Sequence, residues 1–431
     1  MKHDYFRIQA IDYEYRSDKF EIDEFRQRSD YVYLPLPPIV SLVVRTLLSD
    51  SQGKLSITEP TRLVQMSGSQ LETAIRSNLK RLDPTGRLTP GRLERSFFAR
   101  LVAETGGDLA VTSLILAKPH PLVHAELYYL AIGLRSAAGL YRRVSRRIHE
   151  AAFPGWTPDE APVDDFIPDL DVGCRYYPVV EQLSNNIRTI CDLARKAWAR
   201  IHRKRNFDVH DPEFEHDHNM VTLALTLMFS YGTGVRAITS PLPRLDEIVE
   251  ILDRPDKVIL GIADWADKDD GSRYHKRELI IIDDLLKMLR AYGKYLDRVR
   301  AALPASKTIG RLPAFFLIKG KAVAIGPNSI AKIAGNLYPY PPNTHRRVLV
   351  RELRNKILMP REESGDQPVI NCSAEIIRAG LLGHWTIGQE PWSELSNLPL
   401  RAIEDALLRS IPRLLRKLGF VSFLKPPGEE Q

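Results

Sequence analysis

Apolar residues recur every three or four positions along most of this chain, and that spacing predicts helices over 61–66, 69–82, 90–104, 108–117, 121–150 and 179–205. A further amphipathic helix is expected over 400–418, with Ile403, Ala406, Leu407, Leu414 and Leu418 on its core side. The run 219–231 is apolar nearly all round, so it reads as a buried helix. Between 258 and 282 the pattern changes to β-rich runs, 258–262 and 278–282, joined by a polar stretch over 266–276. A second hairpin is expected from 314–318 and 322–325 through Lys319-Gly320-Lys321. Prolines make 34–38 and 338–342 extended, each biasing its predecessor away from helix, and short helices are expected over 39–48 and 326–337. Residues 1–30 have weak periodicity and read as an arm with a peripheral strand, while 151–178 has the prolines and acids of a long loop.

These elements predict a mostly α fold with a small antiparallel β-sheet, of the α+β class. The expected division is an N-terminal arm over 1–58, a helical domain over 59–205 and a mixed domain over 206–431. The chain's 431 residues, 44% of them hydrophobic, suffice for two or three cores. No run of about 18 apolar residues and no basic-apolar leader is evident, so neither a membrane partner nor export is expected and the reading is cytoplasmic. Cys174, Cys191 and Cys372 form no CxxC pair, which argues against a disulfide framework or a zinc ribbon.

Charge adds a candidate partner. Lys and Arg total 61 against 54 Asp and Glu, a net +7 that suits a polyanion without requiring one. The excess concentrates on two predicted helices. Arg142, Arg143, Arg146 and Arg147 lie on or beside the polar face of one, and Arg195, Lys196, Arg200, Arg203 and Lys204 on that of the other. Such faces are either solvated or the footprint of DNA binding. Glu215-His216-Asp217-His218 invites a metal reading, but an i, i+2 spacing does not place both histidines on one helical face, so no metal site is assigned.

The sharpest local feature is Tyr231-Gly232-Thr233-Gly234-Val235-Arg236, where glycines are expected to end the buried helix and place Arg236 at the start of the next. A guanidinium held there matches phosphate oxygens two at a time. It is followed by Lys268 in the predicted hairpin turn, by Asn343-Thr344-His345-Arg346-Arg347, and by Leu382-Gly383-His384-Trp385.

This order resembles the catalytic domain of the tyrosine recombinase and phage integrase superfamily, preceded by a helical core-binding domain. The likeness covers about residues 85 to 420. The resemblance implies that Arg236 and Arg346 clamp a scissile phosphate, that Lys268 protonates the leaving oxygen, and that His384 donates to a remaining oxygen, with Asn343, His345, Arg347 and Trp385 in support. Such chemistry requires no metal or cofactor; two arginines and neutral donors stabilise the phosphate while a tyrosine attacks it.

The departures are specific. No tyrosine follows Tyr340, although the family places its nucleophile about one helical element after the LGH motif. Ser393 and Ser396 lie in that region, yet a serine hydroxyl is a weak nucleophile without an activating base. An acidic residue usual after the TGxR motif is missing, Asn343 replaces the first histidine of the basic motif, Arg347 its second, and 359–373 is a long polar insertion. The expectation is therefore a recombinase-like protein of a mobile element that binds double-stranded DNA, self-associates on it and works with other element proteins, without the usual tyrosine step. The alternatives are an active recombinase with a substituted nucleophile, and a basic helical scaffold for RNA or acidic proteins.

Overall fold

The computed structural model describes residues 5–11, 25–50, 67–120, 127–155, 167–204, 208–251, 260–266, 276–303, 312–357, 378, 380–383 and 400–424. The protein is mostly helical with small antiparallel sheets, an α+β arrangement. It divides into two compact units, Met1–Glu14 with Gln27–Cys174 and Tyr15–Arg26 with Arg175–Gln431.

In the first unit β1 (Tyr5–Gln9) pairs antiparallel with β2 (Tyr31–Pro35), and the proline run that ends β2 leads into α1 (Pro38–Asp50). Local capping sets the next helices. Before α2 (Gly68–Leu82), Ser67 and Gln70 exchange side-chain and backbone bonds at 2.8 and 3.3 Å. Thr89 and Pro90 start α3 (Pro90–Glu104), and the Asp108 carboxylate accepts from the Ala110 and Val111 N–H groups at the head of α4 (Leu109–Ile115). Then α5 (Leu134–Ala152) buries Leu134, Ala137, Ala138, Tyr141 and Val144, and packs against α3, α4 and β2.

The single helix expected over 121–150 is interrupted. A short strand β3 (Ala131–Gly133) precedes α5 and pairs antiparallel with β4 (Asp171–Gly173). Gly133, the N-cap of α5, is extended, and its partner Asp171 lies far along the chain, where apolar spacing carries no signal.

The second unit is built on α7 (Pro212–Thr233), which follows α6 (Val180–Arg203). Asp211 accepts from the Glu213 N–H at 3.0 Å, Pro212 takes the first helical position, and Glu213 and Glu215 suit the positive helix end. From Asp217 to Thr233 every residue is buried. Around α7 pack α6, strand β7 (Lys276–Ile281), α8 (Asp283–Ala302), β8 (Phe315–Ile318), α9 (Pro327–Ala334), α10 (Thr344–Ile357) and α11 (Leu400–Lys417). The predicted core side of α11 is buried, with Ile411 and Leu415 added.

The expected strand pair is present as β6 (Leu260–Ala266) and β7, with Ala266 opposite Lys276, and β5 (Val249–Ile251) adds an unforeseen third strand. Its three residues are too few to show a period. The second hairpin joins β8 to β9 (Lys321–Ala324) through Lys319 and Gly320 at φ 54° and 69°, the left-handed pair that a tight hairpin turn requires.

Polar groups inside α7 are answered individually. Thr226, Ser230 and Thr233 donate to carbonyls one turn back at 2.7 to 2.8 Å, and Thr222 bonds the Tyr292 hydroxyl at 2.8 Å. His218 sits 2.9 Å from the Phe315 carbonyl through Nε2 and 2.8 Å from the Tyr295 hydroxyl through Nδ1. Because a carbonyl only accepts, Nε2 carries the proton and Nδ1 accepts from the tyrosine. Asn219 then donates to the Leu317 carbonyl at 2.7 Å and accepts from its N–H at 2.8 Å.

Burial lowers the His218 pKa from the ordinary 6.5 to about 4, against a smaller opposing effect of the Phe315 carbonyl. The unfolded chain thus binds the proton more readily. The stability tied to the neutral ring is complete above pH 6.5 and declines as pH falls toward 4, by about 3 kcal/mol in all. Urea unfolding of wild type and His218→Gln across that window is expected to show a shallower loss for the variant, and parallel curves would rule this histidine out as the source.

Candidate nucleic-acid interface

The helix α7 ends where its backbone turns left-handed. Gly234 has φ 65° and ψ 23°, and its N–H still reaches the Ser230 carbonyl at 2.9 Å. The left-handed backbone favours glycine here, and a side chain would start 3.3 to 3.4 Å from Leu349, Leu382 and the Leu381 carbonyl, a fit that asks its neighbours to give slightly. Gly232, by contrast, is an ordinary helical residue inside α7.

Arg236 does not begin a helix, as the sequence suggested. It lies in an irregular stretch after α7, which the left-handed Gly234 ends. Its side chain is partly exposed, while its Nε is buried and has no hydrogen-bond partner among the described residues.

Two further motif segments come to this turn. From the start of α10, Asn343 adopts φ 65° and its Oδ1 accepts from the Ala237 N–H at 2.8 Å. His345 donates through Nε2 to the Val235 carbonyl. Arg346 is wholly buried and donates to the Gly234 carbonyl at 3.2 Å and to the Leu382 carbonyl at 2.7 Å. Arg347 is 7% exposed, bonds the Pro342 carbonyl at 3.2 Å and lies 5.8 Å from the centre of the Tyr176 ring. The structure therefore brings together Gly234 to Ala237, the Asn343 to Arg347 motif and the Leu382 backbone.

Other expected site residues, Lys268, His384, Trp385, Ser393 and Ser396, lie outside the described residues, as does the 359–373 insertion. Tyr338 and Tyr340 are poor candidates for a nucleophile because both are buried. The Tyr338 hydroxyl is 3.1 Å from that of Tyr231, and burial pushes its pKa up to about 12, which opposes a phenolate. Tyr340 meets Asn186 at 3.4 Å. The aromatic floor behind α10 was not foreseen: Tyr177 lies 4.2 Å from the Arg351 guanidinium, and nothing in the local sequence of either residue marks the pairing.

Many cations on the two basic faces already meet carboxylates. On α5, in the first unit, Arg143 and Arg147 both bond Glu104, whose side chain is 8% exposed, and Arg146 bonds Glu150. Arg142 reaches the Tyr5 hydroxyl at 3.3 Å. On α6, in the second unit, Arg200 grips the buried Asp217, Lys204 meets Asp211 and Glu213, and Arg195 lies 3.2 Å from Asp192. Lys196 and Arg203 are exposed, and no carboxylate among the described residues lies within 4.0 Å of either. Paired faces of this kind carry less net positive field than their sequence suggests.

His216 is exposed and His218 buried, on opposite sides of α7, and among the described residues no three His, Cys, Asp or Glu side chains are placed to hold a metal ion. Among these residues no helix is long and apolar enough to cross a membrane. Compared with known proteins, the chain matches no family model, no curated sequence and no solved structure.

The geometry at Gly234 sets an expected outcome. Gly234→Ala should cost roughly 1–2 kcal/mol for the left-handed backbone, with more if Leu349 or Leu382 must move, and Gly234→Asn should cost less in conformation. Denaturant midpoints of both variants check it; equal stability of Gly234→Ala and wild type would refute the required left-handed turn.

Proposed function

We propose that this chain is a DNA-binding protein of the tyrosine recombinase type, with a helical core-binding part before a catalytic-fold part, serving target recognition or architecture during movement of a genetic element. One observation carries the reading. Three segments matched on sequence order, distant along the chain, converge on the turn that presents Arg236, and its Nε there lacks a partner among the described residues. A phosphate oxygen is the natural acceptor for a partly exposed guanidinium so held.

Strand cleavage is not part of the proposal. The stretch after Leu382-Gly383-His384 contains no tyrosine, and the buried Tyr338 hydroxyl holds its proton tightly. A site that binds a phosphodiester without a nucleophile organises DNA and leaves its bonds intact. The partner is double-stranded DNA, with a second copy and other element proteins as candidates for assembly on it.

Two measurements test the reading. Binding to a labelled duplex should weaken steeply between about 50 and 200 mM salt, as expected of several phosphate contacts. A suicide substrate should yield no covalent protein–DNA adduct. An adduct lost in Ser393→Ala or Ser396→Ala would establish an active recombinase with a substituted nucleophile, whereas binding to RNA or acidic proteins with no affinity for duplex would favour the scaffold alternative.

A further inference from the structure

Family resemblance makes Arg346 one half of a phosphate clamp, but its surroundings describe a different task. Its side chain is wholly enclosed, and its two terminal nitrogens donate to the backbone carbonyls of Gly234 and Leu382, two segments that the chain places far apart. His345 donates to the next carbonyl, that of Val235, and Asn343 accepts from the Ala237 N–H. Within the four residues from Gly234 to Ala237, two carbonyls and one N–H are thus held by the first turn of α10. The residue between these fixed points is Arg236.

We infer that Arg346, with His345 and Asn343, is a positioning residue that moulds the Gly234 to Ala237 turn and so aims Arg236, and that Arg346 itself does not touch DNA. Its role as applied to DNA rests on the proposed function. The physical argument is one of commitment. A guanidinium already donating to two buried carbonyls gains little by exchanging them for a phosphate, since leaving those carbonyls unanswered costs about 1–3 kcal/mol each. Arg236 has the opposite balance, because its side chain is partly exposed. The pocket then supplies one fixed cation from this pair where a cleaving clamp uses two, which agrees with binding in the absence of a nucleophile.

Asn343 shares the task by a separate device. At φ 65° it sits where asparagine and glycine are tolerated, and its side chain supplies the acceptor for Ala237. Asn343→Gly therefore keeps the backbone shape and removes only the acceptor.

The test compares Arg236→Ala, Arg346→Gln and Asn343→Gly in the full chain, reading the thermal midpoint and the salt dependence of binding to a fluorescein-labelled random-sequence duplex. A residue that neutralises a phosphate lowers the slope of log K against log salt by about one when removed. Arg236→Ala is expected to lower the slope by that amount with its midpoint unchanged. Arg346→Gln and Asn343→Gly are expected to lower the midpoint and weaken binding several-fold, and adding either to Arg236→Ala is expected to leave the slope where Arg236→Ala alone puts it. A further fall of about one in the slope when Arg346→Gln is added to Arg236→Ala would overturn the inference, because Arg346 would then be a direct contact. Should Arg346→Gln fail to fold, Asn343→Gly carries the comparison, and wild-type affinity in that variant would sink it. If wild type shows no salt-dependent binding, the proposed function fails, while the midpoints still decide the moulding role: losses in Arg346→Gln and Asn343→Gly uphold it, and unchanged midpoints end it.

Discussion

A helix that lies wholly inside a protein has to answer every polar group it carries without water, and the second unit is arranged by that constraint. From Asp217 to Thr233 no residue of α7 reaches solvent appreciably. Hydroxyls turn back onto the helix's own carbonyls, Asp217 takes Arg200, and His218 and Asn219 reach out to α8 and β8. Each of these bonds also fixes a neighbour's position, since an unanswered buried group would cost more than a typical bond contributes. The polar residues of α7 thus select which elements lie beside it, while its apolar residues supply most of the burial.

The same helix determines where the candidate site falls. Its last residues are enclosed, and the chain leaves through a left-handed glycine packed closely against Leu349 and Leu382. Arg236 appears two residues later and is partly exposed. Elsewhere the cations that looked most available are neutralised in pairs. Glu104 faces two arginines of α5, and Asp217 draws in one of α6. These pairs, each on a carboxylate that is largely enclosed, redistribute charge away from the broad helical faces.

Much of this was legible in the sequence because the signals are local. The all-round apolar run of α7, the stripes of α5 and α6, and the Lys319-Gly320 turn each state their structure within a few residues. The short strands β3, β4 and β5 were not legible, since three residues show no period and their partners lie elsewhere. Pairing of Arg143 and Arg147 with Glu104 was hidden for the same reason. At the candidate site, the order of motifs exposed which segments matter, and Arg236 and Arg346 looked equivalent. Their difference is a matter of enclosure, because one guanidinium is shut in among carbonyls and the other opens outward. Side-chain chemistry alone does not report enclosure. The helix expected to start at Arg236 does not form; the chain runs irregularly past Ser240, itself left-handed at φ 56°.

Among the described residues the hairpin of β8 and β9 is two strands wide, which leaves the outer backbone of β8 to find other partners. Asn219 occupies that edge with its amide, mimicking a strand's own donor and acceptor at Leu317. An asparagine on a helix thereby caps the strand edge, taking both backbone groups of Leu317 that a further strand would need.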